Sequence, residues 1–192
     1  MSRTAQNLAK AFIGESQAST RYTMYSAVAR DEGYEQIAEI FQQTADQEKE
    51  HAKHLYTYIA GLKAKGDFET LEVEAEVPVT YGSTAENLRA AIAGENFEHT
   101  TMYPEYAAVA DSEGYRDIAV RMRNIAKAEM HHEERYMKLL DVVESGSFFK
   151  KEEKTWWVCR QCGFMHYGTE PPARCPACDR PRALYQRKCE EY

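Results

Sequence analysis

Apolar residues recur at spacings of three and four along most of this chain, the pattern of amphipathic helices that each bury one face. Leu8, Phe12, Glu15, Ala18, Tyr22 and Ala29 share one face of a helix predicted from about Thr4 to Arg30, with Gly33 as its C-terminal cap. A second helix carries Ile37, Phe41, Thr44, Glu48, His51, Leu55 and Tyr58 on one face. A third starts near Thr84 and carries Leu88, Ile92, Glu95, Glu98 and Met102. A fourth carries Ile118, Met122, Ile125, Glu129, His132, Tyr136, Leu139 and Val143. The joints inside each pair are short, so each pair forms an antiparallel hairpin. Residues 65–83 form a longer connection between the pairs, with a strand-like patch at Leu71, Val73, Val77 and Val79.

The helical pattern occurs twice. Gly14-Glu15 recurs as Gly94-Glu95, and Tyr22 and Tyr25 recur as Tyr103 and Tyr106. Glu32-Gly33-Tyr34 recurs as Glu113-Gly114-Tyr115, and Glu48-x-x-His51 as Glu129-x-x-His132. Glu15 and Glu95 are 80 residues apart, whereas every pair from Tyr22 onward is 81 apart. One extra residue therefore lies between positions 96 and 102. A helix absorbs one extra residue as a π-bulge, a feature concentrated at functional sites. The segment includes Glu98, which has no acidic counterpart in the first repeat. Two hairpins joined by one long crossover form the ferritin-like topology. The expected fold is mainly α: a ferritin-like four-helix bundle over residues 1–146, a charged linker over 147–154 and a small metal-binding module over 155–192.

Glu15, Glu48, Glu95, Glu98, Glu129, His51 and His132 all fall on faces that otherwise read as core. Burying five carboxylates without compensation is very costly, and metal cations supply the compensation. Glu-x-x-His sets both side chains one turn apart on the same helical face. One such motif alone is usually a solvated pair. Here it occurs twice, at equivalent places in the repeat, with Glu15 and Glu95 as a further equivalent pair. This is the recurring ligand pattern of di-iron and di-manganese carboxylate bundles. Glu32, Glu35, Glu50 and Glu133 read as solvent-facing, and His54, His99 and His131 as surface or supporting groups. Tyr22 and Tyr103 read either as plain core residues or as hydroxyl donors to the carboxylates.

All five cysteines lie in the last 34 residues. Cys159-x-x-Cys162 and Cys175-Pro176-x-Cys178 are separated by 12 residues and offer four thiolates to a tetrahedral metal. Trp157, Phe164, Tyr167 and Tyr185 are expected to pack a miniature core too small to fold without that metal. On spacing alone zinc suits the module at least as well as iron. Beside a di-iron site that must receive electrons, iron becomes the expected ion. Cys189 reads as a spare thiol and His166 as structural or exposed.

Composition narrows the function classes. The chain has 192 residues, 43% of them hydrophobic, and a formal charge of −7. That acidic balance argues against nucleic-acid binding, which needs clustered Lys and Arg. No run of about 18 apolar residues exists, so no membrane span is expected. The N-terminus lacks an apolar signal-peptide core, and a cytoplasmic location is the expectation.

With both metal modules in this order, the sequence resembles the rubrerythrin family over nearly its whole length. The resemblance is carried by Gly14-Glu15-Ser16-Gln17-Ala18, by Thr44 to Ala52 around Glu48 and His51, and by Gly94-Glu95 with Glu98. It continues in Met102-Tyr103-Pro104, Glu129-x-x-His132-Glu133, Trp157-x-Cys159-x-x-Cys162-Gly163 and Cys175-Pro176-Ala177-Cys178. It implies a ferritin-like di-iron bundle followed by a rubredoxin-like domain. It also implies a peroxidase that reduces hydrogen peroxide to water in oxidative-stress defence. Three irons per subunit are implied, two in an oxo- or hydroxo-bridged pair and one in the four-cysteine site. Glu48 and Glu129 would bridge the pair, Glu15 and Glu95 would be terminal ligands, and His132 would stay on one iron. The other iron would exchange Glu98 for His51 on reduction. Electrons would come from an external donor such as a rubredoxin or a reductase. A homodimer or higher homo-oligomer would bring one subunit's rubredoxin-like iron near the other's di-iron pair. The competing readings are a ferroxidase or dioxygen-reducing oxidase, an iron-handling protein, and a zinc-ribbon module fused to a structural bundle.

Overall fold

The two halves of the sequence repeat build two helical hairpins, α1 (Arg3–Asp31) with α2 (Glu35–Ala64), and α3 (Thr84–Phe97) and α4 (Tyr103–Ser112) with α5 (Arg116–Glu144). The computed structural model describes residues 1–189. The last three residues of the predicted C-terminal module lie outside the described residues. Between α3 and α4 lies a π turn, Glu98–Met102, so the two helices form one continuous rod. The Tyr103 N–H bonds to the Glu98 carbonyl, five residues back, which is how the helix accommodates the extra residue. The bundle therefore has four long rods.

Both hairpin joints close in the same way. Gly33 and Gly114 each sit at φ 85°, a left-handed position that only glycine adopts cheaply. The next N–H reaches back five residues, Tyr34 to Ala29 O and Tyr115 to Ala110 O, each 2.8 Å. The acid before each glycine ties the halves together. Glu113 accepts from the N–H groups of Arg3 and Thr4 (3.0 and 2.8 Å) and from the Thr4 hydroxyl (2.6 Å), at the start of α1. Its repeat partner Glu32 accepts from the Thr84 N–H (3.1 Å) at the start of α3. Glu32 thus has a structural role that its reading as solvent-facing did not foresee.

The crossover differs from expectation. Its strand-like patch forms no strand, and Val77 and Val79 are 71% and 87% exposed. A strand needs a partner for its N–H and C=O groups, and the bundle offers no sheet edge. Side chains hold the crossover instead: Phe68 and Leu71 pack on the core, and the Tyr25 hydroxyl donates to Thr80 O (2.7 Å).

Two hydrophobic clusters fill the bundle. One includes Leu8, Ala11, Leu55, Met102, Met122 and Ile125, and the other includes Ala18, Tyr22, Phe41, Ala45, Ala91 and Tyr136. Each rod passes from one cluster to the other at its predicted carboxylate: Glu15 between Ala11 and Ala18, Glu48 between Ala45 and Leu55. Glu95 lies likewise between Ala91 and Met102, and Glu129 between Ile125 and Tyr136. The polar layer is therefore walled above and below by apolar side chains.

After α5 the chain forms a three-stranded antiparallel sheet in the order β2-β1-β3, with β1 Thr155–Cys159, β2 Met165–Gly168 and β3 Tyr185–Arg187. Trp157 and Tyr185 are buried beside the cysteines, with Phe149 and Phe164 against them. Tyr167, expected in this small core, is 53% exposed. It pairs across the sheet with exposed Trp156, one residue out of phase with buried Trp157, so strand alternation turns it outward. Phe148 and Phe149 in the joining segment pack on Tyr34, and Arg160 pairs with Glu39 of α2, which docks the sheet against the bundle.

Candidate metal centres

Four rods bring Glu15, Glu48, His51, Glu95, Glu129 and His132 into one layer. The ligand atoms of Glu15, Glu48, His51 and Glu129 all lie within 4.8 Å of one another, and so do those of Glu48, Glu95, Glu129 and His132. The two sets share Glu48 and Glu129. His51 Nδ1 lies 2.9, 3.0 and 3.6 Å from oxygens of Glu48, Glu129 and Glu15. His132 Nδ1 lies 3.0, 2.9 and 3.4 Å from Glu48, Glu129 and Glu95. One ring nitrogen has a single proton or a single lone pair, so it cannot satisfy three acceptors.

These residues fit a pair of cations. Six buried atoms of the layer make no hydrogen bond: Glu15 Oε2, Glu48 Oε1, Glu95 Oε2, both Glu129 oxygens and His132 Nδ1. They lie close together but are misaligned for bonding to each other, which is the arrangement of donors aimed at a common centre. Donors about 2.1 Å from one ion sit roughly 3.0–3.4 Å apart, which matches the observed spacings. The electrostatics agree. Burial, then the charges of Glu129 and Glu48, push Glu15 well above the usual carboxylate range. Burial raises Glu95 to about 8. Burial also disfavours charge on Glu48, but the adjacent His132 and His51 rings outweigh it and hold this residue at about 2. Burial works against charge on His132 too, yet the carboxylates of Glu129, Glu48 and Glu95 around its Nδ1 raise it to about 12. The layer carries more negative charge than its own histidines balance.

Glu98 stands apart. It is buried, 9% exposed, on the π turn and belongs to neither four-residue set. Burial, then the nearby charges of Glu15, Glu95, Glu129 and Glu48, push its carboxyl well above the ordinary range.

The buried tyrosines cross between halves. The Tyr22 hydroxyl donates to Glu95 Oε1 (2.7 Å), and the repeat-equivalent Tyr103 hydroxyl donates to Glu15 Oε1. Sequence reasoning left two options for this pair, and the geometry selects the donor role. It missed Gln47, whose Oε1 lies 3.1 Å from His132 Nε2, because nothing in the helical pattern distinguishes this glutamine. It also took Glu133 as solvent-facing. Glu133 is largely covered and holds His99 of the π turn (2.6 Å) and Asn96 (2.9 Å). Glu35 and Glu50 pair with Arg30 and Lys53 at the surface.

In the sheet module all four predicted thiols converge within 4.8 Å. The Sγ atoms of Cys159 and Cys178 are 3.8 Å apart, and those of Cys162 and Cys175 are 3.7 Å apart. A disulfide would need about 2.05 Å. A tetrahedron with metal–sulfur bonds of about 2.3 Å has edges of about 3.8 Å, so the four thiols suit one ion. Burial opposes ionisation of Cys175, but the Tyr185 hydroxyl and backbone N–H groups outweigh it and bring the thiol to about 6. The Arg180 N–H favours the Cys178 thiolate, yet burial and its sulfur neighbours raise it to about 12. Cys189 is exposed and lies outside this cluster.

The rubrerythrin family model matches residues 6–140, and the rubredoxin-like domain model of rubrerythrins matches residues 157–186. The chain belongs to the rubrerythrin family. The rubrerythrin of Porphyromonas gingivalis is 48% identical, covering 96% of this chain and 90% of its own. That of Clostridium perfringens is 47% identical, covering 99% and 96%. The solved structure of nigerythrin in a partially reduced state superposes with a TM-score of 0.64 at 29% identity, over 98% of this chain and 87% of that one. The rubrerythrin match spans the carboxylate layer and the four-thiol cluster together. No helix among the described residues is long and apolar enough to cross a membrane.

Proposed function

We propose that this protein is a non-haem di-iron peroxidase that reduces hydrogen peroxide to water, with electrons delivered through an iron held by Cys159, Cys162, Cys175 and Cys178. The observation that carries the reading is the pair of ligand sets sharing Glu48 and Glu129, on the same chain as a four-thiol site. Two ferrous ions held there supply one electron each, so both electrons that O–O cleavage requires are present together. The balance is one peroxide, two electrons and two protons giving two waters.

The chain's own residues set the stage for that reaction. Glu48 and Glu129 belong to both ligand sets and tie the two positions together, while Glu15 and Glu95 each serve one. The hydroxyls of Tyr103 and Tyr22 hold those two carboxylates in orientation. The apolar clusters on either side limit water to the rim of the layer. His51, with 16% of its side chain exposed against 3% for His132, marks the accessible side, where a small oxidant approaches. On that side Glu98 and His51 would be alternative ligands for one position. With iron bound there, its charge would decide between them, since a neutral imidazole competes better for a less charged ion. An external redox protein would be the electron source for the sheet module, where Cys159, Cys162, Cys175 and Cys178 would hold the accepting iron, and a homodimer would bring one subunit's sheet module near the other's bundle. The role is defence against peroxide.

Anaerobic stopped-flow reoxidation of the iron-loaded, fully reduced protein tests this. Hydrogen peroxide and dioxygen are mixed in separately while absorbance follows the cysteine-held iron. The expected result is fast reoxidation by peroxide and slow reoxidation by dioxygen. Faster reaction with dioxygen would replace the peroxidase with an oxidase or ferroxidase.

A further inference from the structure

The internal repeat serves as a built-in control for the two histidines. Glu48 and His51 on α2 match Glu129 and His132 on α5, and the surrounding residues match pair by pair: Glu15 with Glu95, Tyr22 with Tyr103. The position just before each Glu-x-x-His motif breaks the match. Gln47 precedes Glu48, whereas Ala128 precedes Glu129. Gln47 reaches across from α2 to α5, its Oε1 3.1 Å from His132 Nε2. With Nδ1 of His132 facing Glu48, Glu129 and Glu95, the ring proton belongs on Nε2 and is donated to this amide oxygen. Ala128 has no side-chain polar atom to do the same for His51. Among the described residues no hydrogen bond is made to His51 Nε2, and this ring is the more exposed of the two.

The geometry points to Gln47 as a positioning residue that fixes His132 as a permanent ligand, and to Ala128 as the reason His51 remains free to exchange with Glu98. The inference rests on the ligand-exchange reading given above and assigns the residue pair that decides which histidine moves. A ring anchored at Nε2 cannot leave its ion without breaking a hydrogen bond in a covered site, whereas the more exposed His51 ring has no bond at Nε2 to break. Anchors of this kind fix ring orientation, and their loss typically weakens metal binding by about 10–100-fold. Gln47 and Ala128 are both half-buried, so exchanging them leaves the two apolar clusters intact.

The test uses the full-length, iron-loaded protein with Gln47→Ala, Gln47→Glu, Ala128→Gln and the Gln47→Ala/Ala128→Gln swap. Two readouts are taken: the rate at which a ferrous chelator removes the non-cysteine iron, and crystal structures of the oxidised and reduced forms. Gln47→Ala is expected to speed release of the iron held by His132 about 10–100-fold, and Gln47→Glu, which keeps an acceptor, to restore the parent rate. Ala128→Gln is expected to hold His51 on its iron in both oxidation states. The double swap is expected to transfer mobility from His51 to His132. Release within twofold of the parent for Gln47→Ala, or unchanged movement of His51 in Ala128→Gln, overturns the inference. A parent protein whose His51 stays in place in both states sinks the exchange reading itself and with it the role of Ala128. The Gln47→Ala and Gln47→Glu release rates then still decide whether Gln47 anchors His132.

Discussion

Two buried carboxylates of the layer, Glu15 and Glu95, each accept a hydrogen bond from a tyrosine of the opposite repeat. Tyr103 donates to Glu15 in a region sealed from water, so Tyr103→Phe leaves that oxygen without its partner. The loss is expected to cost about 1–3 kcal/mol, a fall of roughly 2–12 °C in Tm for a chain of this length, read by thermal melts of the loaded protein. The shared carboxylates separate from the unshared ones in the same way. Glu129 belongs to both ligand sets and Glu15 to one. Elemental analysis should therefore find that Glu129→Ala loses most of the non-cysteine iron and that Glu15→Ala loses mainly one ion, with the cysteine-site absorbance unchanged in both. Glu98 lies outside both sets, so Glu98→Ala should slow peroxide turnover while keeping most of the metal. Complete metal loss would remove it from any switching role.

The helices carry their own tests. Thr100 lies inside the π turn that the second repeat has and the first lacks. Deleting it gives Glu95 and Tyr103 the seven-residue spacing of Glu15 and Tyr22. The rod should then become α-helical throughout. Circular dichroism should show undiminished helix and metal analysis a filled layer, while turnover falls because Glu98 has lost its place. Glu113 caps α1 from the far end of α4. Burial disfavours its charge, but the Thr4 hydroxyl and the N–H groups of Thr4 and Arg3 together outweigh that and hold its pKa below the ordinary value. Because the folded value is the lower one, the stabilisation is complete above the unfolded pKa of about 4.3 and disappears as pH falls through the folded value. Glu113→Ala should therefore lower stability by about 1 kcal/mol at neutral pH. Thermal melts across pH should show the gap between parent and variant closing below about pH 4.

For the whole molecule, metals bound at these sites would be structural as well as chemical. The bundle has two large apolar clusters beside its acidic layer, whereas the sheet module has only Trp157, Tyr185 and a few partners around the cysteines. A core that small folds through its metal. Stripping all metal should abolish hydrogen-exchange protection in β1, β2 and β3 while α1 to α5 keep much of theirs. It should also lower the bundle's Tm, since ions that bind only the folded state stabilise it by about 2.7 kcal/mol at a hundredfold excess over Kd.

Much of this was legible in the chain itself, because helices announce themselves locally. Spacings of three and four marked the rods, the Glu32-Gly33 and Glu113-Gly114 pairs marked the joints, and a one-residue change in repeat offset located the π turn at Glu98–Met102. Paired Glu-x-x-His and Cys-x-x-Cys motifs named the clustering residues because ligand spacing is fixed by helix pitch and by tight turns. Contacts between distant segments were not legible. Tyr22 and Tyr103 reach across to the opposite repeat, Glu32 and Glu113 cap each other's hairpins, and Gln47 singles out His132. Tyr167 faces outward, and Val77 and Val79 lie exposed in a segment that forms no strand. Each depends on which helix or strand stands opposite, and only the packed structure decides that.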